Sequence, residues 1–321
     1  MDTSVIGDYC RWLKTHKGLV FNNYRDLWRW SVTDLAGFWQ SIAEFFALDL
    51  GAPQAVLENP ALPGAQWFRG SALSYTEHIL KATGSVPALI GHSQTRPRVE
   101  ISRDQLRAKV ASCAAGLKAL GIKKGDPVAG YMPNIPETAI AFLAVASLGA
   151  IWLSCPPEFG ARAVIDRFGL VKPKLLFAVA GYQYGDKTVD RREQLDTIRA
   201  AIAEIEQVVN VPYLPGVDVA NAIDWADLVD SSVQSPAEVA CEKVPFDHPL
   251  YVLFSSGTSG LPKAIVHGHG GVLLEHSKAI GLHHDVRAGD RFFWYSTTGW
   301  MLWNFDLSVL LRGAAMISFD G

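Results

Sequence analysis

The stretch Tyr251-Val-Leu-Phe-Ser-Ser-Gly-Thr-Ser-Gly-Leu-Pro-Lys263, followed by Ala-Ile-Val-His-Gly-His-Gly-Gly271, decides how this chain is read. The apolar run Tyr251 to Phe254 predicts a buried strand, and Ala264 to Val266 predicts a second one. Between them lie Ser255, Ser256, Gly257, Thr258, Ser259 and Gly260, then Pro262 and Lys263. Glycines let the backbone turn sharply and bring N–H groups against an anion. The four hydroxyls add neutral donors, and Lys263 adds a point charge for phosphate oxygens. A plain hairpin turn needs only about two to five residues and none of this chemistry. The expected ligand is a polyphosphate. The segment is not a Walker A loop, which needs G-x-x-x-x-G-K-[ST] running into a helix. Here Pro262 precedes the lysine, Ala264 follows it, and the next segment reads as a strand.

Working back from this stretch, strand and helix patterns alternate from about Val86 onward. Ser102-Arg-Asp-Gln105 fits a capping box, and Leu106, Val110, Leu117 and Leu120 share one face of the helix it opens. Asp126 to Met132 predicts a strand. Pro136 starts an apolar helix through Leu148, which Gly149 ends. Ile151 to Leu153 predicts a strand, Arg162 to Phe168 a helix, and Leu175 to Val179 a strand. An amphipathic helix over Arg191 to Ile205 and a strand over Gln207 to Val211 follow. Short apolar strands alternating with helices predict an α/β fold with a layered parallel sheet covered on both faces. The polar segment Pro212 to Pro245 reads as a connection with a short helical piece near Trp225.

The first 84 residues differ in character. Trp12, Trp28, Trp30, Trp39 and Trp67 fall in helical patterns broken by the Pro/Gly-rich segment Gly51 to Gly64. Tryptophans in such patterns predict packing anchors, and the stretch reads as a helical cap on a larger domain over residues 85–321.

Composition narrows the function. The chain has 321 residues, 49% of them hydrophobic, with a formal net charge of −3. That is enough for a sizeable core and argues against a nucleic-acid partner held by a basic surface. Cys10, Cys113, Cys155 and Cys241 are widely spaced, as expected of a reduced cytosolic protein and not of a disulfide framework or zinc site. His267 and His269 form an H-x-H pair without a matching array of ligands, so no metal site is expected there. Neither a signal peptide nor a membrane span is expected: the apolar stretch Ala139 to Leu153 is too short to cross a bilayer and reads as a buried helix followed by a buried strand.

Ser255-Ser-Gly-Thr-Ser-Gly-Leu-Pro-Lys263 resembles the phosphate loop of the adenylate-forming superfamily, which includes acyl-CoA synthetases, peptide-synthetase adenylation domains and luciferases. Lys263-Ala-Ile-Val-His-Gly-His-Gly-Gly271 is similar to the acetoacetyl-CoA synthetase branch, as are Gly289 to Asn304, Ala65 to Glu77 and the Trp28-Arg-Trp-Ser31 region. Ser259 departs from the threonine common in the superfamily but keeps the hydroxyl. Ala264 replaces a common glycine, as that branch usually does.

The resemblance implies an acid–CoA ligase working through an acyl-adenylate. ATP, Mg²⁺ and coenzyme A are the implied cofactors and co-substrates, and acetoacetate the implied acid. No protein partner is implied. Ser255, Ser256, Gly257, Thr258, Ser259, Gly260 and Lys263 would hold the ATP phosphates. Trp300 would form a wall of the acyl pocket, with Met301 and Asn304 behind it, and His267 is expected near the nucleotide or acyl group. Trp303, Leu307 and Leu310 share a helical face and are expected in the core. No residue of the chain is assigned as catalytic.

The family's later motifs for adenine, ribose and metal, its hinge and its mobile C-terminal domain do not occur in these 321 residues. The expectation is an incomplete AMP-binding domain, inactive alone, with apolar faces or strand edges exposed. Two alternatives stay open: a ligase for another short acid such as acetate or propionate, and a non-catalytic remnant.

Overall fold

The computed structural model describes residues 3–229, 239–255 and 260–320. Helices α1 (Val5–Lys17), α2 (Tyr24–Thr33) and α3 (Leu35–Phe45) open the chain. The antiparallel pair β1 (Ala55–Glu58) and β2 (Gln66–Arg69) and the short α4 (Tyr75–Ile79) follow. Next come β3 (Pro87–His92), β4 (Val99–Ser102), α5 (Arg103–Ala119), β5 (Pro127–Tyr131), α6 (Pro136–Ser147), β6 (Ile151–Cys155) and α7 (Ala161–Phe168). Then β7 (Leu175–Ala178), the hairpin β8 (Gly181–Tyr184) and β9 (Lys187–Asp190), α8 (Arg192–Ala201), β10 (Gln207–Asn210), β11 (Ile223–Asp224) and α9 (Trp225–Leu228). The last part holds β12 (Pro249–Ser255), β13 (Lys263–Gly268), α10 (His269–Lys278), a π-helical turn (Ala279–His283), β14 (Arg291–Phe292), α11 (Met301–Leu307), a 3-10 turn (Ser308–Arg312) and β15 (Ala315–Phe319).

Local sequence explains several boundaries. Ser102 Oγ accepts from Gln105 N while Gln105 Oε1 accepts from Ser102 N, so both halves of the capping box form at the start of α5. Pro136 is the first residue of α6, where a missing N–H costs nothing. Gly149 follows that helix at φ +66°, a conformation that penalises any side chain.

Among the described residues the main sheet has seven strands in the order β11-β10-β7-β5-β6-β12-β13, parallel except for β13, which runs antiparallel to β12. Side chains alternate along each strand between two cores. Val128, Trp152, Phe177 and Tyr251 join the larger one, together with α5, α6, α10 and the N-terminal helices. Ala129, Leu153, Leu176 and Val252 join the smaller one, under α7 and α8. Burial on both faces is why these strands read as continuous apolar runs. The helix–strand reading of Ala139 to Leu153 holds, with α6 buried along nearly its whole length.

Phe142 of α6 ties the layers together. Its ring lies 6.0 Å from Tyr75, 6.1 Å from Trp152, 6.2 Å from Tyr251 and 5.9 Å from Trp303, mostly edge-on. It thereby joins α4, the main sheet and α11 in one aromatic cluster. The larger core runs without a break from Val5 to Met316, so the first 84 residues pack directly into it.

Some expectations are corrected. A second sheet, β14-β15-β3-β4, was not legible: β15 pairs in parallel with β3, Met316 beside Leu89. The main sheet is mixed, not purely parallel. Helix α8 is shorter than Arg191 to Ile205: Ile202 leaves the helical conformation (φ −119°, ψ 87°) and is buried in the smaller core. The N-terminal stretch is not wholly helical, since it includes β1 and β2. Trp12, Trp30, Trp39 and Trp67 do pack against the core, but Trp28 is 51% exposed, because α2 turns only Leu27 fully inward. The connection over residues 212–245 lies partly outside the described residues, and its helix is present at Trp225–Leu228.

Candidate active site

The parallel strands β5, β6, β7 and β12 all end at one edge of the main sheet, where open α/β sheets bind ligands. Tyr131, Cys155, Ala178 and Ser255 are their last residues. Strand β12 lies beside β6, with Val252 opposite Leu153. It leads the Ser255–Lys263 stretch out at this edge, and β13 returns antiparallel with Lys263 opposite Ser255. Lys263 is exposed and Gly260 stands at φ +96°. Ser256, Gly257, Thr258 and Ser259 lie outside the described residues.

The segment leading into α11 is stitched across the same edge. Ser154 Oγ donates to Thr298 O (2.6 Å), and Thr298 Oγ1 donates to Met132 O (2.8 Å). Asn134 Nδ2 donates to Ser296 O (3.3 Å), and Trp303 Nε1 donates to Asn134 Oδ1 (3.0 Å). A Cβ added at Gly299 would meet Pro156 Cδ at 2.8 Å, so a larger residue there would push this segment off the β6 loop. That loop is itself anchored: Tyr131 OH donates to Phe159 O (2.6 Å) and Arg191 Nε to Pro157 O (2.7 Å). Apart from Trp303 and the Gly289 to Asn304 stretch, these partners were not singled out in the sequence, and none of the bonds was expected. Their signal is weak, because a buried Asn, Ser or Thr looks like any polar loop residue until its distant carbonyl partner is known.

The expected acyl-wall residues occupy different environments. Trp300 is 64% exposed and Met301 is 45% exposed, whereas Asn304 is 2% exposed. Trp303, Leu307 and Leu310 sit in the core, as their helical face predicts. Beside Asn304 runs a buried polar chain that sequence reasoning missed. Tyr75 OH lies 2.5 Å from Ser308 Oγ, His276 Nδ1 lies 2.6 Å from that oxygen, and Ser308 Oγ donates to Asn304 O (2.9 Å).

Titratable groups here are tuned mainly by burial. Asp306, within α11, is raised to about 7 by desolvation; its Oδ2 accepts one bond from Trp294 N (3.3 Å), and its Oδ1 has no partner. His276 and His269 are each lowered to about 3, chiefly by burial. His267, opposite Tyr251 on β13 with ring centroids 5.1 Å apart, is also lowered by burial. His269 Nδ1 accepts from Tyr75 N (3.4 Å), so it serves a backbone contact. Among the described residues no group of three or more His, Cys, Asp or Glu side chains is placed to hold a metal ion.

A family model described as AMP-binding enzyme matches residues 77–321. The chain belongs to the AMP-binding enzyme family. A second model, described as acetyl-coenzyme A synthetase N-terminus, matches residues 24–79. This AMP-binding enzyme chain is 37% identical to an acetoacetyl-coenzyme A synthetase of Rhizobium meliloti (strain 1021), in a match covering 100% of the chain and 50% of that protein. It is 36% identical to an acetoacetyl-CoA synthetase of Macaca fascicularis, covering 95% of the chain and 47% of that protein. Among solved structures it matches an acetoacetyl-CoA synthetase from Streptomyces lividans, with a TM-score of 0.95, 45% identity, and coverage of 100% of this chain and 50% of that one. The chain spans about half the length of these relatives.

Proposed function

We propose that this chain carries the phosphate-loop half of an ATP-dependent ligase that activates acetoacetate and passes it to coenzyme A. The observation that carries the reading is the shared sheet edge, where β12 leads into the Ser255–Lys263 stretch and Ser296 and Thr298 are bonded to Met132, Asn134 and Ser154 at the ends of β5 and β6. Its similarity along nearly its whole length to acetoacetyl-CoA synthetases supports acetoacetate as the acid. Residues 1–84 form the proposed cap and residues 85–321 the proposed partial AMP-binding domain.

A carboxylate is a poor acyl donor because it would have to expel an oxide or hydroxide. In the proposed first step a carboxylate oxygen attacks the α-phosphorus of ATP; the new P–O bond forms as the bond to pyrophosphate breaks. In the second, the thiol of coenzyme A attacks the acyl carbon, a C–S bond forms, AMP leaves with the carboxyl oxygen, and the thiol proton is released. Both steps rest on positioning and charge neutralisation more than on a nucleophilic side chain. Ser255, Ser256, Gly257, Thr258, Ser259, Gly260 and Lys263 would hold the phosphates. Exposed Lys263, paired in register with Ser255, suits a polyphosphate arriving from solvent. Mg²⁺, held through the phosphates, would neutralise further charge there. Trp300 and Met301 would flank the acyl group.

The proposed setting is the cytosol. Among the described residues all four cysteines are free, and no helix is long and apolar enough to cross a membrane. The test is ATP–pyrophosphate exchange by the gene product purified from its own cells, across acetoacetate, acetate and propionate. Exchange strongest with acetoacetate is expected. Exchange strongest with acetate or propionate, or none with any acid, would overturn the reading.

A further inference from the structure

Helix α2 carries two apolar faces. Inward, Leu27 joins the larger core and Trp30 packs against Phe21 and Phe38, with ring centroids 5.3 Å and 5.8 Å away. Outward, Tyr24, Trp28 and Val32 stand four residues apart, so they line up along one side of the helix, and they are 50%, 51% and 49% exposed. Val20, also exposed, lines the same groove as Tyr24 and lengthens the strip at one end. Single exposed apolar residues are ordinary on a folded surface, but a run of them along one helix side marks a contact surface. Packing does not account for it. The inward side already seats α2, and Asn23 caps it, its Oδ1 accepting from Asp26 N (3.1 Å).

The charge around this strip is predominantly positive. From Tyr9 to Thr33 the chain carries Arg11, Lys14, Lys17, Arg25 and Arg29 against Asp26 alone, in a protein whose formal net charge is −3. A groove of about 310 Å³ between α1 and α2 is lined by Arg11 and Lys14 of α1 and by Val20, Tyr24 and Leu27. Arg25 and Arg29 are exposed beside Tyr24 and Trp28. Some of these cations have partners: Arg11 pairs with Asp8, Lys17 with Glu44, and Arg29 lies 3.7 Å from Asp26. Among the described residues Lys14 and Arg25 make no ion pair. The next acid along the chain, Asp34, accepts from Trp30 Nε1 (3.1 Å) and Gly37 N (3.0 Å).

We propose that this face docks the protein on an anionic phospholipid bilayer. Tyr24, Trp28 and Val32 enter the boundary between headgroups and acyl chains, and Lys14, Arg25 and Arg29 meet the lipid phosphates. Tryptophan and tyrosine partition to that boundary because their rings are apolar with one polar end. Each Lys or Arg held near an anionic leaflet strengthens binding by about fivefold. A protein partner fits less well. Its anchors would sit in pockets shaped for one occupant, whereas these rings project side by side from the outside of a helix, among flexible cations. One short helix face without a lipid chain gives reversible attachment. None of its residues takes part in the bonds across the sheet edge, so the surface is separable from the proposed chemistry.

The experiment is cosedimentation of the gene product with vesicles of equal parts phosphatidylcholine and phosphatidylglycerol, against vesicles of phosphatidylcholine alone. Binding to the anionic vesicles is expected, with loss at high salt because exposed charges are screened. Trp28→Ser is expected to lower the partition coefficient by about tenfold or more, and Arg25→Glu by about fivefold or more. Both variants should keep the native rate of pyrophosphate exchange. Should Trp28→Ser not fold, Arg25→Glu decides. A native protein that stays in solution with anionic vesicles, or variants that bind them as well as the native protein does, would overturn the proposal. So would self-association of the native protein that Trp28→Ser abolishes, which would assign the face to a second copy of the chain.

Discussion

Trp303 and Asn134, 169 residues apart in the chain, meet in a buried hydrogen bond from Trp303 Nε1 to Asn134 Oδ1 at 3.0 Å. The other end of Asn134 holds Ser296 O, so one carboxamide couples α11 to the segment running over the ends of β5 and β6. Trp303→Phe would keep an aromatic ring beside Phe142 but leave Asn134 Oδ1 dry and unpaired. The expected cost is about 1–3 kcal/mol in urea unfolding, with faster amide exchange over residues 296–300. An unshifted urea midpoint would show that the bond carries no net stability.

Lys263 is exposed, and its loss should leave the fold alone. Lys263→Ala is expected to lower kcat/KM for ATP in pyrophosphate exchange by about 100-fold, the worth of one charged contact to phosphate. Its urea unfolding should stay within about 0.5 kcal/mol of the native protein. Equal kinetics with ATP would remove Lys263 from the phosphate site.

Asp306 makes stability depend on pH in an unusual direction. Burial raises its folded pKa from the ordinary carboxylate range to about 7. Between about pH 4 and pH 7 the folded state therefore binds more protons than the unfolded one, and stability falls as pH rises through that window. Asp306→Asn keeps an acceptor for Trp294 N and removes the charge. It should match the native protein near pH 4 and exceed it by on the order of 3 kcal/mol near pH 8. A difference between Asp306→Asn and the native protein that is the same at the two pH values would show that Asp306 titrates normally.

His269 and His276 act with the opposite sign. Each is held neutral by burial, with a folded value near 3 against an ordinary 6.5. The stability they contribute is complete above pH 6.5 and is lost as pH falls toward 3. Each should add up to about 1.4 kcal/mol per pH unit to the slope in that window. Unfolding curves of His276→Phe should be less steep in pH than those of the native protein. Parallel curves would contradict burial as the cause.

The readings that held rest on local chemistry. The capping box at Ser102, the proline that opens α6, the apolar runs of β5 to β7 and the strands flanking the phosphate loop all involve residues a few positions apart. Trp303 was read correctly as core because helical periodicity identifies an inward face. Periodicity does not say what that face meets. Trp300, at the N-cap of the same helix, and Met301, its first residue, face solvent while Asn304 is buried, and no pattern distinguishes those three positions.

What the sequence by itself determined is most of the strands and helices between residues 102 and 211, the two strands flanking the Ser255–Lys263 stretch, and the family. These follow from dihedral preference, side-chain period and a short run of donors, all carried by neighbouring residues. Only the tertiary structure decided that β15 pairs with β3, that β12 sits beside β6, and that Ser154, Asn134 and Thr298 bind the α11 segment to the sheet edge. It also decided that Asn304 is buried with its amide unpaired. Those relationships depend on hydrogen bonds and burial between residues 99 or more positions apart, where each partner is set by the packing of the whole chain.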